Sequence, residues 1–324
     1  MILPPFELHN PNSIKEAIEI SQKVKNEGFD YVSGGTDLLQ NYKNRLNVKP
    51  HLISLKNIKE TRSIQNFNIG AMVTLDEISK NKTLQKDFTG LVEACSQVGS
   101  ILVRKTATIG GNVLIDNRCY FYNQTPFWRT SLGACLKAES DTCRVIPQKE
   151  YCVATFSSDS APMLVAVDAK YELEGKNGKR IVESSDFYTH DGIKRNFKDE
   201  SEIITKIKIP KTTANLKTGY EKIRVRDTFD YPLVSVAAAL KIDKDKKIEN
   251  INIVLGAIGT YPIKNEDTTD LFKGEKISNS MIKEISEKIQ KKAQPYNNLT
   301  MPVSYRKKMV GVLCKRLLTR LTDS

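Results

Sequence analysis

Tyr31-Val32-Ser33-Gly34-Gly35-Thr36-Asp37-Leu38-Leu39 joins a short extended run to a polar, glycine-paired turn, and Thr106-Ala107-Thr108-Ile109-Gly110-Gly111-Asn112 repeats the device later in the chain. Paired glycines permit positive φ and let backbone N–H groups converge on an anion. The Ser33, Thr36, Thr106 and Thr108 hydroxyls and the Asn112 amide add donors. Either turn alone reads as an ordinary tight turn; two of them facing each other would grip a pyrophosphate from both sides. No G-x-G-x-x-G or G-x-x-x-x-G-K-[ST] occurs, so neither a Rossmann site nor a P-loop is supported.

Outward from these turns the pattern is mixed. Residues 13–25 carry apolar positions at helical spacing behind Ser13, with Glu16 three residues on. Strands are expected at 52–55 and 68–70, a helix from Thr74 and a buried helix over 90–99. Regular structure returns at 161–173, and Gly175-Lys176-Asn177-Gly178 reads as a hairpin turn. Strands at 203–209, 219–226, 233–243 and 249–258 precede helices over 279–292 and 303–322. The fold class is α+β, in two domains of 1–176 and 177–324.

The 324 residues include 50 Lys and Arg against 38 Asp and Glu, a net charge of +12. The positives are dispersed and no nucleic-acid module accompanies them, so a solvated surface or an acidic electron carrier is the expected reading. The start of the chain lacks the basic and apolar regions of a secretory signal, and no apolar run is long enough to span a membrane. A cytoplasmic protein is expected. In that reducing compartment its six cysteines point to metal binding or burial rather than disulfides.

Residues 113–158 have no clear period and hold Cys119, Cys135, Cys143 and Cys152 with the one tryptophan. A metal centre would order such a segment. The pattern C-x15-C-x7-C-x8-C lacks C-x-x-C pairs, so on spacing alone structural zinc and an iron–sulfur cluster are both open. Tyr120, Phe121, Tyr122, Phe127 and Trp128 are candidates to shield it, and Arg118, Lys137 and Arg144 to offset its charge. Cys95 and Cys314 read as core fillers. His9, His51 and His190 are isolated in sequence and give no histidine metal motif or hydrolase triad.

In order, Ser33 to Leu38, Ile69 to Ile78, Ala107 to Asn112, Asp159-Ser160-Ala161-Pro162, Glu202 to Pro210 and Tyr220 to Arg226 resemble the FAD-binding medium subunit of the xanthine dehydrogenase (molybdenum hydroxylase) family. The resemblance spans nearly the whole chain, ending in Tyr305-Arg306. It implies a two-subdomain FAD-binding domain of vanillyl-alcohol-oxidase type, then a C-terminal antiparallel sheet with helices, of CO-dehydrogenase-flavoprotein type. By that resemblance Ser33, Gly34, Gly35, Thr36, Asp37 and Leu38, with Thr106, Thr108, Gly110, Gly111 and Asn112, bracket the FAD pyrophosphate. Asp159 would bond the adenosine side, Ile204 would pack on the flavin and Lys222 would lie near it.

Asn112 and Asp159 are 47 positions apart, about forty more than most of the family has there. The insert, 116–157, is similar to that of the FAD and iron–sulfur subunit of 4-hydroxybenzoyl-CoA reductase. This implies one [4Fe–4S] cluster on Cys119, Cys135, Cys143 and Cys152. It further implies a relay from ferredoxin through FAD to a small [2Fe–2S] subunit and a molybdenum-cofactor large subunit. There an aromatic acyl-CoA would be reductively dehydroxylated, in a hetero-oligomer such as a dimer of heterotrimers. No residue of this chain would be catalytic. The alternatives are the FAD subunit of an oxidative hydroxylase (xanthine, nicotinate or CO dehydrogenase type) and a zinc-stabilised, non-redox binding module. Neither nucleic acid nor membrane is an expected partner.

Overall fold

The computed structural model describes residues 2–323. The first sheet comprises β1 (Glu7–His9), β2 (Phe29–Val32) and β3 (His51–Ser54), all parallel, in the order β1-β3-β2. Helix Ile14–Lys23 makes the crossover. Ser13 Oγ accepts from Glu16 N at 3.1 Å, while the Glu16 carboxylate accepts from Asn12 N at 2.7 Å, one residue earlier than a regular capping box. Its buried stripe of Ile14, Ala17, Ile18 and Ser21 has the 3.6-residue period and packs with Phe29, Ile53 and Ile58. Parallel strands present ligands at their carboxyl ends, and β2 ends at Val32, immediately before the first glycine turn.

A second, antiparallel sheet has the order β4-β5-β8-β6-β7, built from β4 (Ile64–Gln65), β5 (Asn68–Gly70), β6 (Lys170–Gly175), β7 (Gly178–Glu183) and β8 (Ile203–Lys208). The β6–β7 hairpin closes with Gly175 opposite Gly178, whose φ of 95° is open to glycine at no steric cost. This sheet contains strands from both sides of the boundary expected at 176/177. Cross-strand pairing of β8 with β5 and β6 holds residues to 208 in the first unit, so the layers divide between β8 and the next strand.

The third sheet, β12-β11-β10-β9, is also antiparallel: β9 (Lys217–Ile223), β10 (Val234–Ile242), β11 (Ile248–Gly256) and β12 (Ile263–Lys264). Both faces of β10 are covered. Val234, Val236, Ala238 and Leu240 face the helices Asn279–Lys292 and Val303–Asp323, while Ala237 and Ala239 join the core shared with the first unit. No helix among the described residues is long and apolar enough to cross a membrane.

Arg306 ties the last helix to this sheet. It is fully buried and donates to the carbonyls of Leu233 (2.9 Å), Tyr296 (2.7 Å) and Ala257 (2.5 Å). Burial lowers its guanidinium pKa to about 10. Arg306→Met leaves three carbonyls unpaired, so a loss of about 2–3 kcal/mol is expected in urea unfolding; an unchanged midpoint would refute this role.

Candidate functional site

A cleft of about 1360 Å³ is lined by residues of the first two sheets and of the loop between β9 and β10, beyond the roughly 300–1,000 Å³ of an ordinary small-molecule pocket. Ser33 to Leu38, Thr108, Gly110, Gly111, Asn112, Asp159 and Ile204 line it, together with Arg118 and Cys119 of the insert. Thr106 and Lys222 are not among the lining residues.

The two glycine turns meet, but they are not equivalent. A Cβ on Gly34 would sit 2.1 Å from the Thr106 carbonyl oxygen, so only glycine lets the turns touch. Gly35 has φ 68°. Among the described residues, the backbone N–H groups of Gly34 to Asp37 donate to no acceptor within the chain. This run lies at the cleft wall, just before helix Leu38–Lys43. The second turn instead spends its donors internally. Gly110 N donates to Ala71 O at 2.9 Å, Gly111 N to Thr108 Oγ1 at 3.1 Å and Asn112 N to Thr108 O at 2.9 Å, because Thr108 caps the short helix Ile109–Val113. The N–H groups of Gly110 to Asn112 are thus paired within the chain, whereas those of the first turn are not.

Asp159 and Lys222 form a buried pair. Lys222 Nζ lies 3.0 and 3.1 Å from the Asp159 carboxylate oxygens and 2.8 Å from Gln97 O, with no side-chain exposure. The Tyr220 hydroxyl donates to Asp159 Oδ1 at 2.5 Å. Burial raises the Asp159 pKa against the opposing pull of Lys222 and Tyr220. Its carboxylate is thus bound by its own chain, and Lys222 is a counter-ion in the wall. Ile204, on β8, is 3% exposed at the cleft.

Arg118 joins the insert to the first turn. Its guanidinium pairs with Asp37, contacts the Tyr231 hydroxyl and lies 4.3 Å from the centre of the Tyr231 ring. Asp37 also accepts from Asp116 N at 3.3 Å and from the Tyr231 hydroxyl at 3.2 Å. Tyr231 was not anticipated from sequence, where it is one aromatic in a loop.

Asp30, deeper in the cleft, accepts from the Tyr42 hydroxyl at 2.8 Å. Burial pushes its pKa up to about 6 despite that bond and the charge of Lys49. The folded state then holds a proton that the unfolded state has released, so this group's contribution declines as pH rises from about 4 to 6. Asp30→Asn keeps an acceptor for Tyr42 and removes the titration. We expect it to raise stability at pH 7.5 by about 2 kcal/mol and to leave stability unchanged below pH 4. Parallel wild-type and variant stability–pH curves would contradict this.

The four insert cysteines come together. All are free thiols, 5–8% exposed, and the Cys119 and Cys152 sulfurs each interact electrostatically with those of Cys135 and Cys143. Leu46, Tyr122 and Ala154 pack around Cys119, Cys135 and Cys152. Ala154 N donates to Cys152 Sγ at 3.4 Å. Among the described residues no three of these sulfurs lie within 4.8 Å of one another, so no closed ligand sphere is preformed. A tetrahedral zinc with Zn–S bonds of about 2.3 Å would need them about 3.8 Å apart. A cubane gives each thiolate a different iron and holds the sulfurs further apart.

The segment has one short helix, Pro126–Ser131, and is tied down by paired Arg118 and Thr155 backbones at 2.7 Å and by Tyr120 N to Asn298 O at 2.9 Å. The expected shielding is only partly present: Tyr122 is buried, whereas Tyr120 is 49% and Phe127 84% exposed. Of the three cations, Lys137 interacts electrostatically with Cys152 and bonds Asp116 at 2.6 Å. Arg118 serves Asp37, and Arg144 caps the carbonyls of Gly133 and Ala134. Cys95 and Cys314 are fully buried in the two main cores.

A family model described as the FAD binding domain in molybdopterin dehydrogenase matches residues 4–212, and one described as the CO dehydrogenase flavoprotein C-terminal domain matches 219–321. The carbon monoxide dehydrogenase medium chain of Hydrogenophaga pseudoflava is 23% identical over 322 residues, covering 98% of this chain and 97% of its own. The nicotinate dehydrogenase FAD-subunit of Eubacterium barkeri is 22% identical, covering 98% and 96%. A solved carbon monoxide dehydrogenase from H. pseudoflava superposes with a TM-score of 0.80 at 22% identity over 98% of both chains. Quinoline 2-oxidoreductase from Pseudomonas putida 86 gives 0.77 at 19% identity over 100% of this chain and 99% of its own. These likenesses establish a shared two-domain fold.

Proposed function

The chain belongs to the family of FAD-binding domains of molybdopterin dehydrogenases, and on that premise we propose that it is the electron-transfer subunit of a molybdenum-dependent oxidoreductase. Its partners would be a large molybdenum-cofactor subunit and a small [2Fe–2S] subunit. The observation supporting this reading is the cleft, whose lining includes both the unpaired N–H run of Gly34 to Asp37 and insert residue Cys119.

FAD binding is a property of the family, and the residues present fit it. The Gly34 to Asp37 donors suit the pyrophosphate, with the Ser33 and Thr36 hydroxyls beside them and Leu38 opening the following helix. Thr108, Gly110, Gly111 and Asn112 shape the opposing wall, and the Thr106 carbonyl fixes its distance from Gly34. Ile204 would exclude water from a flavin face, while Asp159 and Lys222 hold the wall behind it neutral as a pair. When bound, the flavin supplies exchange of one or two electrons. The chain itself moves no substrate atom; it binds, orients and insulates.

The relatives named above are dehydrogenases of carbon monoxide and nicotinate, which supports an oxidative hydroxylase assembly. The insert favours a second reading. A [4Fe–4S] centre would rest on this chain's own cysteines. The four buried thiols, no three of them within 4.8 Å of one another, suit the wider ligand set of a cluster at the edge of the cleft. Such a centre suits a reductase of the 4-hydroxybenzoyl-CoA kind, fed by ferredoxin, in aromatic degradation. Anaerobic recovery of the tagged chain from its host should bring a molybdenum-containing partner. Bleaching of the complex by an oxidisable substrate selects the first reading; bleaching by reduced ferredoxin alone selects the second. Recovery without molybdenum would contradict both.

A further inference from the structure

Of the chain's three histidines, two meet on the adjacent strands β1 and β3 of the first sheet. Parallel pairing sets Glu7 of β1 opposite His51 of β3, and His9 follows two residues on, on the same face of β1. Their ligating atoms converge. His9 Nε2 lies 3.1 Å from His51 Nδ1, while Glu7 Oε1 lies 3.8 Å from His9 Nε2 and Glu7 Oε2 lies 3.6 Å from His51 Nδ1. All lie within 4.8 Å of one another.

We propose that Glu7, His9 and His51 bind a borderline divalent transition ion of the zinc class, which staples edge strand β1 to β3. Bonds of about 2.0–2.2 Å to imidazole nitrogen and carboxylate oxygen give tetrahedral edges of about 3.3–3.6 Å, and the observed separations bracket that range. Two imidazoles and one carboxylate select zinc-like ions over magnesium or calcium and leave a position for water. The other nitrogen of His51, Nε2, faces the Glu27 carboxylate at 3.2 Å. Such a carboxylate fixes the proton on Nε2 and turns the Nδ1 lone pair toward the ion. With His51 Nδ1 as acceptor, the contact between the rings requires a proton on His9 Nε2. An ion on Nε2 shifts the single ring proton of neutral His9 to Nδ1, so His9 binds as a neutral imidazole. The site has no residue in common with the cleft wall described above and stands independently of the proposed function.

The plain alternative is a hydrogen-bonded histidine pair that holds no metal. The test uses the full FAD-loaded chain, stripped with chelator and dialysed against Zn2+ alone, with zinc, iron and FAD counted per chain. One equivalent of zinc is expected that H9Q and E7Q lose, with affinity at least about ten-fold weaker. Glu27→Gln should weaken it by about 10–100-fold. FAD and iron should be unchanged in all three variants, which shows that they fold. Cys135→Ser should keep this equivalent, which separates it from ions in the cysteine pocket. Zinc content identical in wild type and H9Q, or an adventitious ion only, released equally from every variant, would overturn the proposal.

Discussion

Gly34→Ala is expected to abolish FAD retention and to cost more than about 3 kcal/mol of stability. The new Cβ would fall 2.1 Å from the Thr106 carbonyl oxygen and 2.7 Å from its carbon, both backbone atoms that cannot rotate aside. The turns must therefore separate, and the N–H run of Gly34 to Asp37 moves away from the wall formed by Thr108 to Asn112. Gly111→Ala is the control. Its Cβ would meet only Thr108 Oγ1 at 3.1 Å and Ser33 Oγ at 3.5 Å, so a milder loss is expected. FAD released by acid from each purified variant, with a urea unfolding curve, checks both. Normal FAD content in Gly34→Ala would remove the first turn from the site.

Cys135→Ser is expected to eliminate bound iron, from about four per chain to none, and to loosen 119–152 to proteolysis while the rest stays folded. The segment has one short helix, a few backbone pairs, buried side-chain ties from Asn117, Arg129 and Lys137, and a small apolar cluster containing three of the thiols. A bound metal would add its binding energy to these ties. Burial raises the Cys119 thiol pKa to about 12 and that of Cys152 to about 11, so a metal centre there would bind with release of thiol protons. Cys95→Ala and Cys314→Ala, in the cores, should leave iron unchanged. Iron lost equally from all variants, or retained in Cys135→Ser, would refute a cluster on the insert.

The fold was legible because its signals are local. Ser13 with Glu16, Thr74 with Glu77, and Gly175 with Gly178 each announce an element through capping or turn chemistry. The boundary at 176 was misplaced because a hairpin turn looks the same inside a domain as between two. Only pairing of β8 with β5, more than 130 positions apart, shows where the layer ends. The glycine turns were found by composition, yet their inequality depends on Ala71 accepting from Gly110, a contact that spacing does not encode. His9 and His51 looked isolated because sequence distance is blind to parallel register. The four cysteines, lacking any short motif, were joined in space by the fold.

The most direct test is the absorption spectrum of the anaerobically purified chain, read with its FAD, iron and zinc content. Flavin bands on broad iron–sulfur absorbance, with one FAD and about four irons per chain, are the predicted result. A colourless protein that carries one zinc and no FAD would contradict the account.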